Sequence, residues 1–290
     1  MQRPFHRILG VNLGGIRGKT TAIAELAVHQ PGVMVTRVAL RDGENPWTDD
    51  TLAGHLLAQD PAATLLAIDA PLTHHACGRC TRPTCPGMMI CDDPAVVWLR
   101  STGHAAASGQ ALRRAGTAAP PHSLAVHPAD QVARARLVPY AHRATEVSLV
   151  EEGLWPVSRL GSANSPVAAR ARHLARRLAS SGFALHQNLL EVSPVATITA
   201  LFGARKARGH KRDADPWRTR AEILAELADV TFAPSSRLAR EDVLRNDHCF
   251  DALISAYTAY LWAREGWRLP ERDAEVFRED GWIWAPPVKR

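Results

Sequence analysis

Four of the chain's five cysteines, Cys77, Cys80, Cys85 and Cys91, fall within one short stretch in the spacing C-x2-C-x4-C-x5-C. Thiols grouped this tightly in a reducing compartment, where disulfides do not persist, point to metal ligation. Zn2+ would take all four tetrahedrally and leave no open position, whereas a [4Fe-4S] cluster also uses four thiolates. The spacing is neither the paired-knuckle zinc pattern nor the ferredoxin run, and zinc is the first expectation. His74 and His75 read as loop residues. Cys249 lies in a helical pattern and reads as a small buried apolar residue.

Acids form a second set. Asp69 ends the apolar run Thr64–Ile68, and Ala70-Pro71 breaks the strand directly after it. Glu191 stands in the same way just ahead of Pro194, while Asp247 and Asp251 repeat at a four-residue interval and share one helical stripe. Hard cations such as Mg2+ or Mn2+ take oxygen ligands, and two of them clamp the attacking and leaving oxygens of a phosphodiester. Taken singly, such acids are more often caps or arginine partners.

Basic residues supply the complement. The formal net charge is +6, and the run Arg205–Arg212 is the densest cationic stretch. Lys206, Lys211 and Arg212 in that run, with Arg143, are the candidates for holding nucleic-acid phosphate. Gly18-Lys19-Thr20 fits the end of a phosphate loop, but the required first glycine falls on Leu13, so that motif is rejected. The arginines of the 165–182 helix read as a solvated face.

The elements that must position these groups follow from the pattern. Ile8–Leu13, Thr20–Ala27 and Val33–Leu40 read as an antiparallel meander, followed by a helix from Thr48 to Leu57. The strand ending at Asp69 comes after this crossover helix and should lie parallel to the first. Residues 94–100 read as a short helix and 103–145 as long loops. Further expectations are a helix from Ser165-Pro166 to Gly182, a strand from Ala184 to Val192, and helices from Asp215 to about Asp229 and from Asp247 to Arg264. Trp282 and Trp284 should pack back on the body. With 46% hydrophobic residues the chain can bury a core. No signal peptide or membrane span is evident, so a cytoplasmic protein is expected.

Ile8-Leu9-Gly10-Val11-Asn12-Leu13, Ala67-Ile68-Asp69-Ala70-Pro71-Leu72, Glu191-Val192-Ser193-Pro194 and Asp247-His248-Cys249-Phe250-Asp251-Ala252-Leu253 resemble, in order, the "domain of unknown function 429" family. The segment Tyr140–Glu146 is similar to another motif of that family. The resemblance implies an RNase H-like fold: a mixed five-stranded sheet flanked by helices, one domain over 1–290, with a cysteine-rich metal-binding insertion at 74–93. It also implies a divalent-metal-dependent nuclease using Asn12, Asp69, Glu191, Asp247 and Asp251. The family's first strand normally presents an aspartate where Asn12 stands, and an amide brings no charge to a cation. The alternative expectation is a non-catalytic nucleic-acid-binding protein with a decayed acidic site.

Overall fold

The computed structural model describes residues 5–15, 21–102 and 137–288. Gly18, Lys19, Thr20 and most of the 103–145 stretch lie outside these residues. The chain divides into two compact units.

The first unit comprises Met1–Leu72, Pro166–Arg268 and Ile283–Arg290. Its strands are β1 (Arg7–Asn12), β2 (Ala22–His29), β3 (Gly32–Ala39), β4 (Thr64–Asp69), β5 (Leu189–Val192), β6 (Val230–Phe232) and β7 (Ile283–Trp284). They form one sheet in the order β6-β3-β2-β1-β4-β5-β7. β2 pairs antiparallel with β1 and β3, and the remaining neighbours are parallel. Seven strands replace the expected five because β6 and β7 are edge strands of three and two residues. An apolar run that short carries no period to read. β5 is also shorter than expected: Ala184–Asn188 closes a turn, with Asn188 Oδ1 accepting from the Ala184 amide, before the strand begins.

Both faces of the central strands are covered, which is why β1 and β4 read as continuous apolar runs. On one face α1 (Asp49–Leu57) and α3 (Pro166–Ala179) place Leu52, Leu56, Leu174 and Leu178 against Leu9, Val11, Leu66 and Ile68. Thr48 caps α1 through the Thr51 amide, and Thr51 returns the bond to the Thr48 amide. On the other face lies α8 (Asp247–Glu265), ended by Gly266 in the left-handed conformation. Gly10 lets α8 approach: a Cβ there would sit 2.1 Å from the Ala252 carbonyl oxygen. α8 is buried from Cys249 to Ala263 on every side. The sheet covers one side, while α4 (Pro194–Phe202) and α7 (Arg237–Arg245) pack on α8 as well. Two of its hydroxyls bond within the helix, Ser255 to the Asp251 carbonyl and Thr258 to the Ile254 carbonyl. The basic run is itself a helix, α5 (Ala204–Arg212), which turns directly into α6 (Pro216–Glu226).

The second unit comprises Thr73–Ser165 and Leu269–Trp282. It holds a one-turn helix Ala76–Arg79, a helix over residues 94–102, α2 (Ala144–Glu151) and α9 (Ala274–Asp280). Its apolar cluster is small among the described residues: Ala76, Ala95, Val96, Ala144, Val276 and Phe277, with Met88, Trp98 and Trp282 against it. Charged and polar groups do much of the cross-linking. Arg143 reaches Glu146 and Thr73, Thr73 Oγ1 donates to the Asp280 carbonyl, and Asp280 takes Arg79 and the Ala144 amide. Trp284, in contrast to Trp282, is buried in the first unit against Trp262 and His186. No described helix is long and apolar enough to cross a membrane.

Candidate functional site

The parallel register of β1 and β4 sets Asn12 beside Asp69, and that of β4 and β5 sets Ile68 beside Glu191. Asn12, Asp69 and Glu191 thus lie at neighbouring strand ends, with Glu191 one level before Asp69. Asn12 Nδ2 donates to Asp69 Oδ2 at 2.9 Å. An ionised carboxylate accepts only, so the amide oxygen of Asn12 faces away from it and toward His248, whose Nδ1 lies 2.8 Å from that oxygen. His248 sits in the first turn of α8, and the close contact over Gly10 brings that turn to the end of β1. Glu191 is buried and accepts from the Leu72 amide at 2.9 Å.

Asp251 lies one turn further along α8 and is 1% exposed. A carboxylate taken this far from water needs partners, and α5 supplies them. His210 Nε2 is 3.2 Å from Asp251 Oδ1, and the Lys211 ammonium is paired with Asp251 Oδ2. Burial by itself would push the Asp251 carboxyl up; the His210 hydrogen bond and the Lys211 charge outweigh it and hold the carboxyl below its ordinary value. Burial would likewise lower the Lys211 ammonium, but Asp251, then Asp69 and Asp247, raise it. Asp247 stands 3.9 Å from Lys211 and is 40% exposed. One lysine therefore answers three carboxylates at the sheet edge.

Of the five acid-site residues read from the sequence, Asn12, Asp69, Asp247 and Asp251 are linked through Lys211 and direct hydrogen bonds, with Glu191 on the neighbouring strand. His210 and His248 are additions that the sequence reading missed. The signal for His248 was its place between Asp247 and Asp251, three residues ahead of the latter on one helix face.

The basic candidates separate. Lys211 faces the acids, and Lys206 pairs with Glu226. Arg143 is fully buried, its guanidinium on Glu146 and Thr73, so nothing of it reaches the surface. Arg212 is exposed, as are Arg205 and Arg208. On the 165–182 helix, Arg170 and Arg177 are not simply solvated: they tie α3 to Asp49 and Asp50 of α1.

In the second unit all four clustered cysteines line one cavity of about 500 Å³. Cys77, Cys80 and Cys85 are exposed and Cys91 is half-buried, all as free thiols. The loop around them is framed by side chains. Arg79 pairs with Asp93, Arg82 with Asp92, and Arg100 Nη1 donates to the Met88 and Met89 carbonyls at 3.0 and 2.6 Å. Burial raises the Cys77 thiol, and the charges of Cys85, Cys91 and Cys80 add to it, so the four groups act on one another. Cys249 is buried in α8, as expected, with its thiol pushed up to about 12 by burial.

A fit to metal differs between the two places. Among the described residues no three His, Cys, Asp or Glu side chains are grouped closely enough to hold an ion as they stand. At the acidic edge the reason is visible: the oxygens an ion would use are engaged by Lys211, His210 and the Asn12 amide. At the cysteines the donor chemistry fits a thiolate-loving metal and the four donors share a cavity, but they have not closed on one point.

A family model described as "Protein of unknown function (DUF429)" matches residues 30–275. No curated protein and no solved structure matches the chain.

Proposed function

The chain belongs to the DUF429 family, and from that premise we propose that it is an RNase H-like hydrolase of nucleic-acid phosphodiesters, working at the acidic edge of the sheet. One observation carries the reading: Asn12, Asp69 and Glu191 leave three neighbouring parallel strand ends, where α8 adds Asp247 and Asp251. Three antiparallel strands followed by parallel ones, with a long helix across one face, is the arrangement that an RNase H-like reading requires. The reading assigns Mg2+ or Mn2+ to these acids. As placed, these side chains do not fit it. What the chain's own residues do is plainer: Lys211 and His210 hold Asp251, and Asn12 fixes both Asp69 and His248.

Cleavage of a panel of labelled DNA and RNA strands, duplexes and junctions, with and without Mg2+ or Mn2+, tests this. Cation-dependent cleavage that Asp251→Asn or Asp69→Asn abolishes supports it; equal cleavage by both variants would sink it. The second reading is a nucleic-acid-binding protein without catalysis. It is favoured by the uncharged Asn12 and by Lys211 within the acidic set, and it predicts binding with no cleavage under any cation.

To Cys77, Cys80, Cys85 and Cys91 we assign a structural thiolate-bound metal, zinc first and a [4Fe-4S] cluster second. A unit with so small an apolar cluster gains most from such a staple. Elemental analysis after anaerobic, reducing purification decides between them, and Cys80→Ser should release the metal. Protein free of zinc and iron under that handling would refute the assignment.

A further inference from the structure

Helix α5 presents two different sides. Ala207, Gly209 and His210 are buried, and His210 and Lys211 reach Asp251. Arg205, Arg208 and Arg212, spaced i, i+3, i+7, fall on the solvent side as one stripe. None of the three makes an ion pair or hydrogen bond among the described residues. This sets them apart from Lys206, Arg170 and Arg177, each of which has an acid. Three like charges within three turns of helix repel one another, so an unneutralised stripe lowers stability unless something anionic lies on it.

Immediately beyond the stripe is a large exposed aromatic. Trp217, in the first turn of α6, is 53% exposed. The turn that carries it is rigidly built. The Asp213 carboxylate accepts from Thr219 at 2.9 Å and lies over Gly209, where a Cβ would come within 2.4 Å of it. Asp215 caps α6 through the Arg218 amide at 3.0 Å. The end of α5 and the start of α6 are thus tied together, and Trp217 follows Arg212 by five residues across that turn. A single exposed tryptophan is ordinary; one that follows an unpaired cationic stripe across a turn tied in this way is a specific combination.

We propose that the α5–α6 hairpin is a platform for single-stranded nucleic acid, with phosphates along Arg205, Arg208 and Arg212 and an unpaired base stacked on Trp217. Charge complementarity selects a polyanion, and the indole selects one whose bases are not already stacked in a duplex. This rests on the phosphodiester reading only for the fate of the bound strand; the binding itself uses none of the acids.

The test is binding of a labelled single-stranded oligonucleotide, and of its duplex, to the full chain in excess chelator, so that no cleavage occurs. Wild type should bind the single strand more tightly than the duplex. Trp217→Ala should weaken single-strand binding by at least about fivefold and leave duplex binding little changed. The triple variant Arg205→Gln, Arg208→Gln, Arg212→Gln should weaken it too and flatten the slope of log K against log salt by about 2. All four positions are exposed, and unchanged thermal melting verifies that the variants are folded. Equal binding by the variants and the wild type, or a single-strand preference that survives Trp217→Ala, overturns the platform. If those variants bind normally while cleavage still requires Asp251, the platform fails and the hydrolase reading stands. If binding behaves as described and no cation elicits cleavage, the reverse holds.

Discussion

The two units solve the same problem, a cluster of like groups, in opposite ways. At the sheet edge of the first unit the carboxylates are partnered from within, by a lysine, a histidine and an amide that the fold brings to them. In the second unit the thiols face one cavity and solvent, while the arginines nearby are spent on Asp92, Asp93 and Asp280 and frame the loop. The first cluster is complete without a partner, and anything that binds there must displace Lys211. In the second, Arg79 and Arg82 line the cavity with the thiols but are themselves paired with Asp93 and Asp92.

Lys211→Met should break this contrast most sharply. It leaves Asp251 buried with His210 alone, and removing one partner of a buried pair typically costs about 3–5 kcal/mol. Urea unfolding should show that loss in metal-free buffer. Mg2+ or Mn2+ should then restore stability more in the variant than in wild type, because the cation no longer competes with an ammonium. No destabilisation and no added cation response would mean that Lys211 is not what neutralises the edge.

The units should also respond oppositely to pH. In the first, Glu25 on β2 is buried among His55, Arg7 and Arg37. Burial would raise its carboxyl, but these partners bring it from the ordinary 4.5 to about 2. The unfolded chain takes up that proton first, so the stabilisation is present above pH 4.5 and is lost as pH falls toward 2. It amounts to about 2 kcal/mol once solvent screening at the exposed Arg7 and Arg37 is allowed for. In the second unit, burial raises Asp280 from 3.8 to about 6 against the pull of the Ala144 amide, Arg143 and Arg79. Here the folded chain keeps the proton longer. Stability is full below pH 3.8 and declines as pH rises through 6, by about 3 kcal/mol. Stability measured from pH 2 to 8 should lose its acid limb in Glu25→Gln and its decline between pH 4 and 6 in Asp280→Asn. Superimposable profiles of wild type and Asp280→Asn would remove the second half of the contrast.

The smallest effect expected is that of Asn12→Asp. A carboxylate in place of the amide faces Asp69 without a donor and should cost on the order of 1 kcal/mol. Divalent cation should recover it, giving the variant a larger metal-dependent thermal shift than wild type. Equal shifts would place Asn12 outside any metal site and undo the functional meaning given to its position.

Much of the frame was legible in the residues. The apolar runs of β1 and β4, the breaker after Asp69, the Thr48 cap and the Gly266 stop are all written in neighbours a few positions apart. β6 and β7 were not, because two or three residues have no period, and α5 was not, because the five Lys and Arg among its nine residues obscure its one buried side. The same locality explains the site. That Asp69 and Glu191 lie at strand ends, and that Asp247 and Asp251 share a helix stripe, was readable from neighbouring residues, as was the spacing of the four cysteines.

Which partner each group meets was decided only by the tertiary structure. Asn12 finds His248 across 236 residues, Asp251 takes Lys211 and His210 from 40 and 41 residues upstream, and Arg143 is drawn inside onto Glu146 and Thr73 instead of facing a phosphate. Local sequence sets the backbone by propensity, capping and period. The pairing of buried charges is set by which elements the packing of α8 and α5 presses against the sheet, and the desolvation cost of an unpaired ion then makes those contacts obligatory.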